Sequence, residues 1–242
     1  MTLTRYSGGY EEIFRSAILW WQGKNQTITG FPIIPAGVTV TPAGTFANDL
    51  NLGTNVTLKT FDGSTNYLSL TDSASWNIFG SDFAICTRIR FTDISATRSI
   101  CGQYADVSNR WSLTYDQSVG KLYLYGCISG SGTFNYQCTF SPSINTWYDI
   151  VVERSGSSCL MFIDGISQTV NAVTAFTGTT DVAAVLTIGL ANTLYHYGNI
   201  KDLMIFTRAL SQPEIALVMR KTNPVSGEDN FYPTLSGVRS VE

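Results

Sequence analysis

The sequence predicts an all-β fold of antiparallel strands. Gly, Ser, Thr, Asn, Tyr and Phe are frequent, and this composition favours strands and tight turns over helices. The clearest strand is 83–91, where apolar side chains alternate with polar ones. The alternation places Arg88 and Arg90 together on a solvent-facing side. Many short strands separated by Gly, Ser and Asn are typical of a sandwich or a barrel.

The strands are expected at regular intervals along the chain. The apolar run 18–21 predicts the first of them, and 22–45 is rich in Pro and Gly, which indicates loops with one edge strand. Alternation resumes near residue 56. Later strands are predicted at 98–103, 110–116, 121–128, 134–140, 147–154, 158–163, 184–190 and 199–206.

One short helix is predicted near the C-terminus, over 212–220. Ser211 as N-cap, Pro213 in the first turn and Glu214 three residues after the cap form a capping box. Cationic side chains follow at the end of the helix, where they complement its dipole. We therefore predict one domain over 18–220, an N-terminal arm over 1–17 and a C-terminal tail over 221–242.

Composition excludes several classes of function. The 242 residues carry a formal net charge of −3, and only 14% are charged, which argues against a nucleic-acid partner. No apolar run reaches the roughly 18–20 residues of a membrane helix, so no membrane insertion is expected. The first residues lack the pattern of a secretory signal peptide.

The five cysteines leave at least one thiol unpaired within a monomer. No pair has CxxC spacing, which argues against zinc. A hairpin over 122–128 and 134–140 would bring Cys127 and Cys138 nearly opposite each other, so a disulfide between them is one alternative. Buried free thiols are the other and the favoured one, because unpaired Cys commonly packs as a small apolar side chain.

Five segments, in order, resemble the laminin-G-like, concanavalin A-like jelly-roll family. They are FDGSTNY at 61–67, SDFAI at 81–85, WYDIVVER at 147–154, LMFIDG at 160–165 and GNIKDLMIFTRALSQPEI at 198–215. The resemblance covers about 18–220 and implies an antiparallel two-sheet jelly-roll sandwich with one short C-terminal helix. It leaves function open, because such sandwiches host adhesion modules, sugar binders, virion parts and hydrolases.

The sequence does not favour an enzyme. Glycosidases of related jelly rolls place two carboxylates on one strand, and none of the six glutamates belongs to such a motif. Glu214 is explained by the capping box, and Glu153 is expected to face solvent. His196, the single histidine, lies in a predicted rim loop without a Gly-x-Ser-x-Gly elbow. A glycoside hydrolase is therefore only a distant alternative.

No cofactor is expected, and calcium is an alternative that the sequence does not favour. In relatives, the first acid of an Ile-Asp-Asp stretch holds the ion; here that position is Lys201, and only Asp202 matches an acid. Asp62 is a second weak candidate, together with Asp72 and Asp164. These residues are also typical of turns, where Asp accepts hydrogen bonds from its own backbone.

Exposed aromatic side chains are the predicted ligand-binding residues. Tyr195 and Tyr197 lie in a predicted rim loop, and Tyr104 is a third candidate, whereas the alternation around Trp111 places that indole in the core. Aromatic side chains also mark protein interfaces.

We therefore expect a non-catalytic structural or binding module with a role in a particle or at a cell surface. The first hypothesis is a phage virion surface or decoration protein that docks to neighbouring subunits through its arms and contacts host glycans. Its partners would be further copies of the chain or capsid and tail proteins. The alternative is a stand-alone, extracellular carbohydrate-binding or adhesion module.

Overall fold

The computed structural model describes residues 13, 16–21, 34–46, 50–51, 57–129, 131–176 and 181–222. The strands in chain order are β1 (Leu19–Trp21), β2 (Val40–Ala43), β3 (Leu50–Asn51), β4 (Thr57–Leu58), β5 (Thr60–Asp62), β6 (Tyr67–Leu70), β7 (Phe83–Phe91), β8 (Arg98–Asp106), β9 (Asn109–Asp116), β10 (Lys121–Ile128), β11 (Ser131–Thr139), β12 (Trp147–Ser155), β13 (Ser158–Ile163), β14 (Ile166–Ser167), β15 (Asn171–Thr174), β16 (Leu186–Ile188), β17 (Leu190–Ala191), β18 (Leu194–Tyr195) and β19 (Tyr197–Phe206). A 3-10 turn spans Ala74–Trp76, and helix α1 spans Gln212–Thr222.

Two antiparallel sheets make up the body of the domain. The seven-stranded sheet has the order β1-β19-β7-β12-β13-β14, with β5 also paired to β19. The eight-stranded sheet has the order β15-β11-β10-β9-β8-β16-β6-β2. This arrangement confirms the predicted all-β, two-sheet sandwich. The Pro-containing strand β2 lies at an edge, where a residue without an N–H does not interrupt the ladder.

The main core lies between the two sheets and is formed by every second residue of their strands. Phe83, Ile85, Ile89 and Phe91 of β7 contribute one row, as their alternation predicts. Trp111 is 1% exposed, and its indole N–H donates to Gln103 Oε1 at 2.7 Å. Each large apolar side chain buried this way contributes about 1.5–3 kcal/mol, so a chain of this size needs no disulfide to fold.

A second apolar cluster covers half of the outer face of the seven-stranded sheet. Ile215, Val218 and Met219 of α1 pack there against outward-facing residues of the sheet, among them Ala84 and Cys86. Ile13 and Ala17, from the predicted N-terminal arm, belong to the same cluster. Within the described residues, no helix combines the length and apolarity needed to span a membrane.

The capping interaction at the start of α1 forms as predicted. Glu214 accepts hydrogen bonds from the backbone N–H and the hydroxyl of Ser211, at 2.7 and 2.8 Å. Arg208 donates to both oxygens of the same carboxylate, at 2.7 and 3.1 Å. This Arg208 interaction lowers the pKa of Glu214 to about 2. The helix extends two residues beyond its predicted end.

The two arginines of β7 face outward as predicted, but they are not simply solvated. Arg90 donates to Asn199 Oδ1 at 3.0 Å and to Asn145 Oδ1 at 2.5 Å. The Arg88 guanidinium lies 5.5 Å from the Trp147 ring centroid. This half of the outer face is therefore a network of polar and aromatic side chains beside the helix.

Candidate functional site

A tight turn between β5 and β6 forms one rim of the sandwich. Asp62 accepts hydrogen bonds from the backbone N–H groups of Ser64, Thr65 and Asn66, at 2.9, 2.8 and 3.2 Å, and from the Thr65 hydroxyl. Burial opposes ionisation of this carboxyl, but those hydrogen bonds outweigh it and hold its pKa well below the usual range. Asp62 is thus a turn-forming residue whose lone pairs are engaged by the chain itself.

Tyr197 stands on this turn and is 38% exposed. Its ring covers Gly63, where a Cβ would come within 2.8 Å of the ring, and Gly63 has φ +76°, which favours glycine. On its other side, the Arg98 guanidinium lies 5.4 Å from the ring centroid. Arg98 is itself ion-paired with Asp93. The turn and the arginine together hold an aromatic ring at the rim with part of its surface open.

Tyr195 lies beside this group, in the short hairpin formed by β17 and β18. Its ring is 6.3 Å from that of Tyr67, at an interplanar angle of 60°. Tyr67 begins β6, directly after the turn that supports Tyr197. Residues 67, 195 and 197 are called the rim tyrosines below. The structure therefore places Tyr195 against Tyr67, which the sequence reasoning did not single out, and both residues adjoin the turn and the strand that carry Tyr197.

Tyr104 lies elsewhere, near the opposite end of β8. It is paired across the strands with Arg110 of β9, whose guanidinium lies 5.9 Å from its ring centroid. The same guanidinium lies 5.4 Å from the ring of Tyr125 on β10. Tyr104 is thus part of an aromatic-cationic group on the outer face of the eight-stranded sheet. The alternation within 121–128 could have indicated Tyr125, because its neighbours Leu122 and Leu124 are core residues.

Two acids of the predicted set are buried in structural roles. Glu153 is 2% exposed rather than solvated, because α1 and its preceding loop cover that part of the sheet. Its Oε2 accepts the Leu210 backbone N–H at 3.0 Å, and burial raises its pKa. Asp202, with φ 50°, accepts the Trp20 indole N–H at 3.0 Å and lies 3.8 Å from Lys201 Nζ.

The other candidate metal ligands have similar local roles. Asp72 accepts the Ser73 backbone N–H at 2.9 Å, and Asp164 accepts that of Asp149 at 2.8 Å. Across the described part of the chain, no three His, Cys, Asp or Glu side chains are grouped so that they could hold a metal ion.

The alternative of a disulfide between Cys127 and Cys138 is wrong, and the favoured expectation of buried free thiols is confirmed. The ladder of β10 and β11 places Cys127 opposite Gly132 and Cys138 opposite Leu122. Cys138 also belongs to the core between the sheets, whereas strand alternation turns Cys127 to the outer face. The hairpin is longer than predicted, because β11 begins at Ser131, and this shifts the register. All five cysteines are free and buried.

His196 is not a loop residue at the surface but a fully buried one. Its ring packs against Phe61 and Phe91, with centroid distances of 5.7 and 5.2 Å. Neither ring nitrogen makes a hydrogen bond to the described residues. Burial lowers the pKa of this imidazole to about 4. A histidine that is neutral and sealed in the core is not placed to act on a ligand at the rim.

These features define a class of protein: a two-sheet jelly-roll module with partly exposed aromatic side chains at its rim and on one outer face. The family model of the concanavalin A-like lectin/glucanases superfamily matches residues 62–216. The chain belongs to this family. None of the curated protein sequences matches it.

Solved structures with the same fold include binding domains of botulinum neurotoxins. One is the binding domain of neurotoxin DC in complex with rat synaptotagmin II, with 17% identity and a TM-score of 0.64. Another is the same domain in complex with SialylT, with 16% identity and a TM-score of 0.64. Each match covers 88% of this chain and 53% of the other, so the chain spans about half the length of these neighbours.

Proposed function

We propose that the chain is a non-catalytic binding module that recognises a glycan through the rim tyrosines. The observation that carries this proposal is the support of Tyr197 by Gly63 and Arg98, which holds a partly exposed ring at the rim. Aromatic rings bind sugars by stacking on their C–H faces, and a tyrosine also offers a hydroxyl for hydrogen bonding. Tyr67 and Tyr195 form an aromatic pair with ring centroids 6.3 Å apart, and they adjoin the turn and the strand that carry Tyr197.

Two further observations support a binding role. The acids that the sequence analysis considered for chemistry are engaged within the fold: Glu153 by a backbone N–H, and Glu214 by Arg208 and Ser211. Among the structural neighbours, neurotoxin DC binding domains are in complex with synaptotagmin II and with SialylT, and cell entry of neurotoxin type C depends on interaction with two ganglioside molecules. Those ligands belong to the toxins, and they illustrate that this fold can support ligand recognition.

A glycan array with the full chain tests the proposal. The unmodified chain should bind a defined subset of glycans, and Tyr197→Ala and Tyr195→Ala should each weaken binding by about tenfold, which corresponds to about 1.4 kcal/mol. Trp147→Ala is the matched control, because it removes a half-buried aromatic side chain from the outer face of the seven-stranded sheet. The absence of binding to any glycan, or an equal loss with the control, would contradict the proposal.

We propose a virion surface as the setting, with an extracellular module as the alternative. The supporting feature is that each sheet ends in an edge strand with an exposed apolar side chain. β14 and β15 are the outermost strands of their sheets, and Ile166 and Val173 on them are 67% and 57% exposed. Exposed apolar side chains on edge strands favour contact with another subunit, which we take to be a second copy of the chain.

The oligomeric state tests this assembly role. Sedimentation velocity of the full chain should show a dimer or larger oligomer that dissociates in the Ile166→Ser/Val173→Ser variant. Deletion of 221–242 tests the separate expectation that the C-terminal tail docks to neighbouring subunits. A monomer at all concentrations, or an oligomer that both variants leave intact, would contradict the assembly role and leave the glycan-binding proposal standing.

A further inference from the structure

The outer face of the eight-stranded sheet carries a cation in an unusual position. Arg110 is half-buried on β9, between Tyr104 of β8 and Tyr125 of β10. Both ring centroids are within the roughly 6 Å at which a guanidinium is attracted to an aromatic face. Trp111 and Leu113, the alternate residues of the strand, point into the core, so the backbone fixes Arg110 on the outer face.

Arg110 has no ion-pair partner among the described residues. The ion pairs within 4.0 Å in that part of the chain involve other cations. Asp106 in the β8–β9 turn interacts electrostatically with it. That carboxylate is used within its own turn, where it accepts the Ser108 backbone N–H at 2.6 Å and the Asn109 side-chain amide at 3.1 and 3.2 Å. The guanidinium is therefore held in place by aromatic rings and not neutralised by a carboxylate.

The surface beside Arg110 is lined by small residues. The strand register aligns one cross-strand row on this face, which runs through Tyr125, Ser112, Gly102, Thr187, Ser69 and Thr41. Gly102 is required in this row, because a Cβ there would lie 2.3 Å from the Trp111 carbonyl oxygen. Beyond Tyr125, the row crosses five strands over about 19 Å at the usual strand spacing of about 4.8 Å. Ser112 and Ser69 are half-buried and Thr41 is exposed, whereas Gly102 and Thr187 are buried.

We propose that Arg110, Tyr104 and Tyr125 form a second subsite, which binds the anionic group of an acidic saccharide. A guanidinium presents a planar fork of N–H donors that matches a carboxylate or a sulfate, and the two rings restrict its orientation. Ser112, two residues further along β9 on the same outer face, is half-buried and offers a hydroxyl to the sugar that carries the acid. This subsite rests on the proposed glycan-binding function and adds a preference for negative charge to it.

The subsite is tested with pairs of glycans that differ only in one acidic group, either a carboxylate or a sulfate. Affinities are measured by calorimetric titration of the full chain. The unmodified chain should prefer the acidic member by at least about tenfold, or about 1.4 kcal/mol. Arg110→Gln should remove this preference and leave the affinity for the neutral member unchanged. Arg110→Lys keeps the charge but not the fork, and should restore only part of the preference.

Lys121→Gln is the matched control. It removes one positive charge from the same face, at the far end of β10. An equal loss of preference in Lys121→Gln and Arg110→Gln would indicate general attraction and overturn the subsite. Binding of neutral glycans without any acidic preference would overturn the subsite and leave the rim proposal intact. A chain that binds no glycan at all overturns both. Carboxylate-only or sulfate-only preference supports the subsite and identifies the acid it accepts.

Discussion

Burial of His196 makes the stability of the domain depend on pH in a specific range. The imidazole is fully buried, and burial lowers its pKa to about 4, against about 6.5 for an unperturbed histidine. The unfolded chain therefore binds a proton more tightly than the folded chain. The stabilisation is complete above pH 6.5 and is lost as the pH falls from about 6.5 to about 4.

The magnitude follows from the difference in pKa. One pKa unit corresponds to about 1.36 kcal/mol. The free energy of unfolding should therefore fall by about 2 kcal/mol between pH 7.5 and pH 5, and by about 3 kcal/mol by pH 4. At an m-value of about 2 kcal/mol/M, the first loss shifts the urea midpoint down by about 1 M. Urea unfolding followed by tryptophan fluorescence at several pH values measures this shift.

His196→Leu separates this contribution from the other titrating groups. The leucine has similar volume and no titrating nitrogen, and it sits between the same two rings, those of Phe61 and Phe91. Its urea midpoint should change much less between pH 7.5 and pH 5 than that of the unmodified chain. Burial raises the pKa of Glu153, so this group stabilises the folded state as the pH falls, opposite to His196. Glu153 is present in both proteins and does not affect their comparison. Parallel pH profiles for the two proteins would refute the reasoning.

Three further predictions concern the fold and the rim. Gly63→Ala should lower the free energy of unfolding by about 1–2 kcal/mol, because φ is +76° and the added Cβ meets the Tyr197 ring. The same substitution should weaken glycan binding. An unchanged urea midpoint would contradict this prediction. Glu214→Ala should cost about 1 kcal/mol through loss of the helix cap, with Glu214→Gln, which keeps a capping acceptor, as the milder control in the same assay. A reducing agent should leave the thermal midpoint unchanged, since all five cysteines are free; a drop of several degrees would reveal a disulfide.

Local sequence patterns predicted the architecture well because they report on burial. The alternation of 83–91 correctly predicted both strand β7 and the side chains that it turns into the core. The Ser211–Glu214 pattern correctly predicted where α1 begins. Short strands without such alternation, such as β14 and β17, were not predicted. They are set by the register of neighbouring strands and not by their own residues.

The site was predicted only in part because it depends on contacts between distant segments. Tyr195 and Tyr197 were found from the loop that contains them, but their support by Tyr67 and Arg98 requires the fold. The same reasoning failed for His196, which lies between a half-buried and an exposed tyrosine in sequence and is buried by rings from two other strands. A lone polar residue carries no local signal for such burial.

The alternative Cys127–Cys138 disulfide was incorrect for a related reason, although the favoured expectation of free thiols was correct. The turn between the two strands was taken to be longer than it is, and a small change in hairpin length moves every pair along the ladder. Predicting which residues face each other across two strands therefore requires the register of the strands, and the turn residues alone did not determine it.

Chemical-shift mapping with a glycan identified on the array tests the central claim most directly. The claim is that this jelly roll binds its ligand at the rim tyrosines without altering it. Titration should shift the backbone amides of Tyr67, Tyr195, Tyr197 and the 62–66 turn, and the glycan should be recovered intact. Shifts confined to other surfaces, such as the outer face of the seven-stranded sheet, or cleavage of the glycan during the titration, would contradict the account.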